Sequence, residues 1–117
     1  MAYIPSDKLC AEKRENVRGG VGTITFEHLY EDASKLPEKC RLYAKMTVPA
    51  GCSLGEHAHV DETEFYYVLR GEGIITDGGQ RIRVSEGDVI ATGGGASHGV
   101  ENRSDEDLVI LATIVLD

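Results

Sequence analysis

GCSLGEHAHVDETEFYYVLRG, residues 51–71, is the stretch that decides how this chain reads. His57 and His59 stand two apart, and Glu64 follows after the short turn at residues 60–63. Side chains two apart on a strand point to the same face, roughly 6.6 Å from one another along it, so two imidazoles can grip one ion. Glu64 opens the run EFYYVLR (64–70), aromatic and β-branched, which predicts a strand and can bring a carboxylate to the same ion. His98, from a distant strand, can close the set. Three imidazoles and one carboxylate suit one divalent transition metal ion: Mn, Fe, Ni, Co or Zn. Asp61 and Glu62 are the competing carboxylates, expected to be solvated turn residues.

Working outward, the chain alternates short apolar segments with glycine-rich turns, the pattern of an all-β sandwich or barrel. Residues 21–26 (VGTITF) predict a strand, and 29–39 a connector ended by Pro37. In RLYAKMTV (41–48), Leu42, Ala44, Met46 and Val48 alternate with Arg41, Tyr43, Lys45 and Thr47, which is strand periodicity. Asp77-Gly78-Gly79 lies between GIIT and RIRV (81–84) and signals a hairpin. Weaker strands at 88–91 and 97–102 flank Gly93-Gly94-Gly95, and DLVILATIVL (107–116) is the last strand. Eight or nine strands and no long helix are expected. Residues 1–20 are polar and end at Gly19-Gly20, so a loose arm with one helical turn is expected there, followed by one barrel domain over 21–117.

The charge balance, 12 basic against 20 acidic side chains for a net −8, repels a phosphate backbone and argues against nucleic acid as a partner. No apolar run approaches the ~20 residues of a membrane helix. The N-terminus MAYIPSDKLC has no apolar core of a signal peptide. Cys10, Cys40 and Cys52 are an odd, scattered set, which fits a reducing cytoplasm better than a disulfide framework. Cys52 is the one nearest the histidine block.

Residues 51–71 obey G-x5-H-x-H-x4-E-x6-G through Gly51, His57, His59, Glu64 and Gly71. GDVIATGGGASHGVEN, residues 87–102, resembles G-x5-P-x-G-x2-H-x3-N through Gly87, Gly95, His98 and Asn102. The pair resembles the two motifs of the cupin superfamily. The resemblance implies a small single-domain, double-stranded β-helix (jelly-roll) barrel with His57, His59, Glu64 and His98 as metal ligands. In six-coordinate geometry such a set leaves two positions open for a ligand. One departure stands out: Gly93 replaces the motif's proline, giving a backbone freer than proline would before His98.

Cupins include many enzymes as well as proteins that only bind, and a fold does not name a reaction. The resemblance implies a metal-dependent enzyme acting on a carbonyl- or carboxylate-bearing small molecule, of isomerase, lyase or dioxygenase type. The alternative is a non-catalytic module that binds or senses a small ligand. Thiol dioxygenases of this fold usually lack the glutamate that Glu64 supplies. Tyr66, two residues beyond Glu64, should share its face and is the candidate hydrogen-bond donor or acid, although a core tyrosine is the commoner outcome. Tyr43 or Lys45 would line the cavity only if their face turned inward. Asn102 reads as structural and His28 as a surface residue. The glycine run lacks the lysine and helix start of a phosphate cradle.

The last strand also predicts assembly. Residues 108, 110, 112, 114 and 116 are Leu, Ile, Ala, Ile and Leu, and residues 109, 111, 113 and 115 are Val, Leu, Thr and Val. One set can fill the barrel, and the other needs a cover that a polar arm does not provide. A homodimer through the outer face of this sheet is the expectation.

Overall fold

The computed structural model describes residues 1–31 and 33–117. Ten strands follow in order: β1 (Cys10–Glu15), β2 (Thr23–His28), β3 (Cys40–Val48), β4 (Ser53–Ala58), β5 (Glu62–Arg70), β6 (Glu72–Asp77), β7 (Gln80–Ser85), β8 (Val89–Gly93), β9 (Ser97–Glu101) and β10 (Leu108–Leu116). Helical structure among the described residues is limited to 3-10 turns at Ser6–Lys8, Val17–Gly19 and Ala33–Lys35. The strands form a six-stranded sheet, β1-β2-β3-β10-β5-β8, and a four-stranded sheet, β4-β9-β6-β7. All the pairings are antiparallel.

The period of two builds the core. On β3, Ala44, Met46 and Val48 turn inward, and β10 between its two neighbours contributes Leu108, Ile110, Ala112 and Ile114. Leu54, Ile75, Val84 and Val100 face them from the smaller sheet. Each fully buried aliphatic side chain contributes about 1.5–3 kcal/mol relative to exposure. The condition for Tyr43 or Lys45 to line the cavity is not met. Tyr43 is exposed, and the Lys45 ammonium pairs with Glu27 at 3.2 Å.

The hairpin between β6 and β7 forms where the glycines predicted it. Asp77 pairs with Gln80, so the loop is Gly78-Gly79, with φ of 54° and 92°. Two successive positive φ values make a type I′ turn, whose twist matches the flanking strands.

Residues 1–20 do not form the loose arm expected. Residues 10–15 pair with β2 along their length, from Cys10 opposite His28 to Glu15 opposite Thr23. All six side chains of β1 are exposed, so hydropathy gives no sign of the strand. Backbone hydrogen bonds hold it, and its charges blunt the open edge. The β2 strand itself begins two residues later than expected and runs on to His28, which its alternation buries with Ile24 and Phe26.

Candidate metal centre

The side chains of His57, His59, Glu64 and His98 come together inside the sandwich. One ligand-type atom from each lies within 4.8 Å of the others. Simple alternation does not bring them there. Leu54 on β4 pairs with Val100 on β9, but His57 pairs with His98, so three steps on β4 match two on β9. This is a β-bulge. Leu54 turns into the core, and without the extra residue Glu56 and Ala58 would follow it. The bulge re-phases the strand: Glu56 stays exposed, and His57 and His59 face inward. Opposite the bulge sits Gly99, where a Cβ would lie 2.6 Å from Thr76 Oγ1 and 3.1 Å from both Glu56 N and Leu54 O.

Backbone contacts hold the remaining pieces. The His59 N–H donates to the Ala96 carbonyl at 3.0 Å, and the His59 carbonyl accepts from Gly95 N–H at 2.8 Å. The segment before His98 is thus tied to the backbone of His59. Gly93 has a reason of its own: a Cβ there would meet Thr63 Oγ1 on the paired β5 strand at 2.3 Å. Glu64 and Tyr66 alternate inward on β5.

Each imidazole is oriented through its Nδ1. His57 Nδ1–H donates to the Gly55 carbonyl at 2.8 Å, and His59 Nδ1–H to Glu62 Oε2 at 2.5 Å. Thr92 Oγ1 lies 2.9 Å from His98 Nδ1 and hydrogen-bonds it. The Gly55 carbonyl and the Glu62 carboxylate can only accept, so they leave Nε2 bare on His57 and His59. His59 and His98 then meet Glu64 through their Nε2 atoms. His59 Nε2 is 3.1 Å from His98 Nε2, and Glu64 Oε1 is 3.0 Å and 2.9 Å from the same two nitrogens. A bare His59 Nε2 facing the Glu64 carboxylate is repelled by it unless a cation lies between them. Edges of about 3 Å are what ligand atoms present when all sit roughly 2.0–2.2 Å from one shared ion. The donor set therefore fits a divalent metal.

The electrostatics agree. Burial holds the His57 imidazole below its usual pKa, which keeps it neutral and able to bind a metal. Burial, with Glu64 close by, pushes the Tyr66 phenol well above its ordinary range, so it stays protonated. The Tyr66 ring stacks on His98 at 4.8 Å, and its hydroxyl is 3.4 Å from His98 Nε2. Tyr66 therefore belongs both to the core and to the wall of the site.

Two expectations are corrected. Glu62 is not a solvated turn carboxylate. Arg41 donates to it from Nε at 2.9 Å and from a terminal nitrogen at 2.7 Å, while its Oε2 holds His59. The Arg41 guanidinium, with His59, brings the Glu62 pKa down to about 2. His28 is not on the surface. It is buried, with Nε2 3.0 Å from Glu12 Oε1. Neither role had a sequence signal, because each depends on a partner from a distant segment. Asp61 does remain exposed. Asn102 is structural as expected: its amide donates to the carbonyls of Val48 (2.8 Å) and Glu106 (2.7 Å). Cys52 packs against the core beside Gly22 and is not among the four converging residues.

A cavity of about 240 Å³ opens onto His57, His59, Glu64 and Tyr66. Arg14, Arg18, Phe26, His28 and Arg41 complete much of its wall.

Fold and site together define a class: a double-stranded β-helix in which three histidines and a glutamate meet at one point. The chain belongs to the cupin family, whose cupin domain model matches residues 44–114. It is 40% identical over 113 residues to an oxalate-binding protein of Thermotoga maritima, covering 97% of this chain and 93% of that one. A crystal structure from T. maritima described as a predicted oxalate decarboxylase superposes with a TM-score of 0.91 at 39% identity, over 99% of this chain and 100% of that one. A cupin-superfamily sugar phosphate isomerase from Silicibacter pomeroyi shares the fold, with a TM-score of 0.68 at 20% identity over 80% of this chain and 60% of that one.

Proposed function

We propose that this protein binds a small carboxylate-bearing chelator, oxalate first among them, at one divalent transition metal ion held by His57, His59, Glu64 and His98. The observation that carries this reading is the meeting of His59 Nε2, His98 Nε2 and Glu64 Oε1 about 3 Å apart, with His57 in the same 4.8 Å cluster and the Nδ1–H groups of His57 and His59 turned away to their own acceptors. A metal held there supplies positive charge and Lewis acidity to an oxygen ligand. The adjoining cavity is small and has a basic rim, which suits a compact anion. The T. maritima relative described as oxalate-binding supports the same ligand class.

A second reading adds catalysis on the bound carboxylate or carbonyl compound, of lyase or isomerase type. Tyr66 favours it, because its protonated hydroxyl reaches the ligand cluster and can donate a hydrogen bond or a proton. The first experiment is elemental analysis of purified protein, followed by calorimetric titration of oxalate into metal-loaded and metal-stripped samples. One metal per chain and metal-dependent oxalate binding are expected. His57→Ala with His59→Ala should abolish both while leaving a β-rich circular dichroism spectrum. Full metal retention by that double variant would overturn the assignment. Turnover of oxalate by the loaded protein, lost in Tyr66→Phe, would select the catalytic reading.

The proposed setting is the cytoplasm. Cys10, Cys40 and Cys52 are all free thiols, as a reducing compartment keeps them. Among the described residues no helix is long and apolar enough to cross a membrane. We also propose that the protein is a homodimer, on the grounds developed below for the outer face of the larger sheet.

A further inference from the structure

The rim of the cavity holds more positive charge than the four converging residues require. Arg14, Arg18 and Arg41 line it alongside the Glu64 carboxylate. Two of the three are engaged elsewhere. Arg41 grips Glu62, and Arg14 lies 3.0 Å from Glu12 and 4.9 Å over the Phe26 ring. Arg18 has no carboxylate partner among the described residues, although it lines the same cavity as His57, His59 and Glu64.

The backbone around Arg18 is unusual as well. Arg18 sits in the left-handed region at φ 54°, ψ 32°, and Asn16 does the same at φ 51°, ψ 45°. Side-chain-bearing residues adopt this conformation at a cost, and the surrounding structure must enforce it. Here the enforcement is visible. The segment lies against β4 so closely that a Cβ on Gly55 would be 1.9 Å from the Arg18 carbonyl oxygen, and one on Gly20 2.1 Å from that of Ser53. Ser53 N–H donates to the Val21 carbonyl at 2.8 Å, and Asn16 N–H to that of Gly22 at 2.9 Å. Gly55 is also the residue whose carbonyl orients His57. One β4 glycine therefore contacts both a member of the metal cluster and the backbone of Arg18.

We propose that Arg18 is the anion-recognition residue of the site, and that its guanidinium selects small dicarboxylates over chelators of lower charge. This rests on the proposed function. A planar dicarboxylate that chelates through one oxygen of each carboxylate keeps two oxygens free on its outer edge. A guanidinium presents parallel N–H groups that match such an edge. Glycine would tolerate the left-handed backbone better, and the proposed role gives the arginine side chain at this position a use.

The test uses the manganese-loaded full chain as wild type, Arg18→Gln and Arg18→Gly. The glycine variant suits the left-handed backbone and secures the fold. Manganese affinity is measured first, then affinity for oxalate and for oxamate, which has the same shape but a single negative charge. Both variants should keep manganese affinity within about two-fold and lose about ten- to a hundred-fold in oxalate affinity, with a clearly smaller loss for oxamate. Unchanged oxalate affinity in the variants overturns the proposal while leaving the proposed function intact. So does an equal loss for the two ligands. Wild-type protein that takes up manganese but binds no oxalate overturns the proposed function and this inference with it.

Discussion

The chain from Arg41 through Glu62 to His59 shows what one residue contributes to the site. Glu62 takes the Nδ1 proton of His59 and so turns its Nε2 toward the other donors, while Arg41 clamps the carboxylate from behind. Replacing such a supporting carboxylate typically costs 10- to 100-fold in metal affinity, and Glu62→Gln should do so in a metal titration. The same group sets an acid limit. Its pKa is about 2 in the fold against 4.5 unperturbed, so the unfolded chain takes up the proton first as pH falls. The stability it contributes is fully present above pH 4.5 and is lost as pH drops toward 2. His57 acts in the same direction at higher pH. Its folded pKa is depressed from 6.5, so the metal-free fold loses stability as pH falls through that value. Thermal melts of metal-free protein from pH 7 to 2.5 should show both windows, and Arg41→Ala should flatten the lower one. An Arg41→Ala profile as steep below pH 4.5 as that of wild type would contradict this account.

At the scale of the element, the β4–β9 pair does what alternation along one strand does not. Its bulge turns His57 inward after Leu54, and Gly99 faces it with the Glu56 and Leu54 backbones only 3.1 Å from where a Cβ would stand. Gly99→Val places a branched side chain against those atoms. Overpacking of this kind costs about 1–3 kcal/mol, and here it should also disturb the phase of β4. Denaturant melts and metal titration of Gly99→Val are therefore expected to show lower stability together with weaker metal binding. Wild-type values for both would rule out the bulge as the device that aims His57.

At the scale of the whole molecule, the larger sheet has an outer face with more apolar surface than a solvated sheet normally shows. The last strand is less bare than its sequence suggests, since Val109 is only 8% exposed within its own chain. The exposed apolar surface lies instead beside it, where Phe65, Tyr67 and Leu69 on β5 are 44%, 45% and 40% exposed. Registry makes the patch continuous: Tyr67 lies between Leu111 and Val89, and Phe65 between Thr113 and Ala91. A second copy packed on this face by a two-fold axis buries the same patch on both partners. Light scattering should give twice the 12.7 kDa chain mass at micromolar concentration. Phe65→Glu with Tyr67→Glu should give a monomer with its metal site intact. A wild-type monomer would refute the assembly.

What the sequence determined by itself was whatever depends on neighbours along the chain. The spacing of His57, His59 and Glu64, the alternation in 41–48 and the glycine hairpin at 78–79 are all short-range patterns, and the motif resemblance added His98 and the fold. Tertiary structure decided the features made by two distant segments meeting. The β1 strand pairs through its backbone with every side chain in solvent, so it leaves no period in hydropathy. The bulge is a mismatch between β4 and β9 and belongs to neither strand alone. Glu62 reads as a turn carboxylate until Arg41 and His59 close on it, and His28 as a surface histidine until β2 turns it inward. Arg18 was one charge in a polar N-terminus, and only the docking of its backbone on Gly55 sets it beside the histidines. Local patterning chooses which side chains share a face, but the partner across the sheet decides where that face is aimed and what stands next to it.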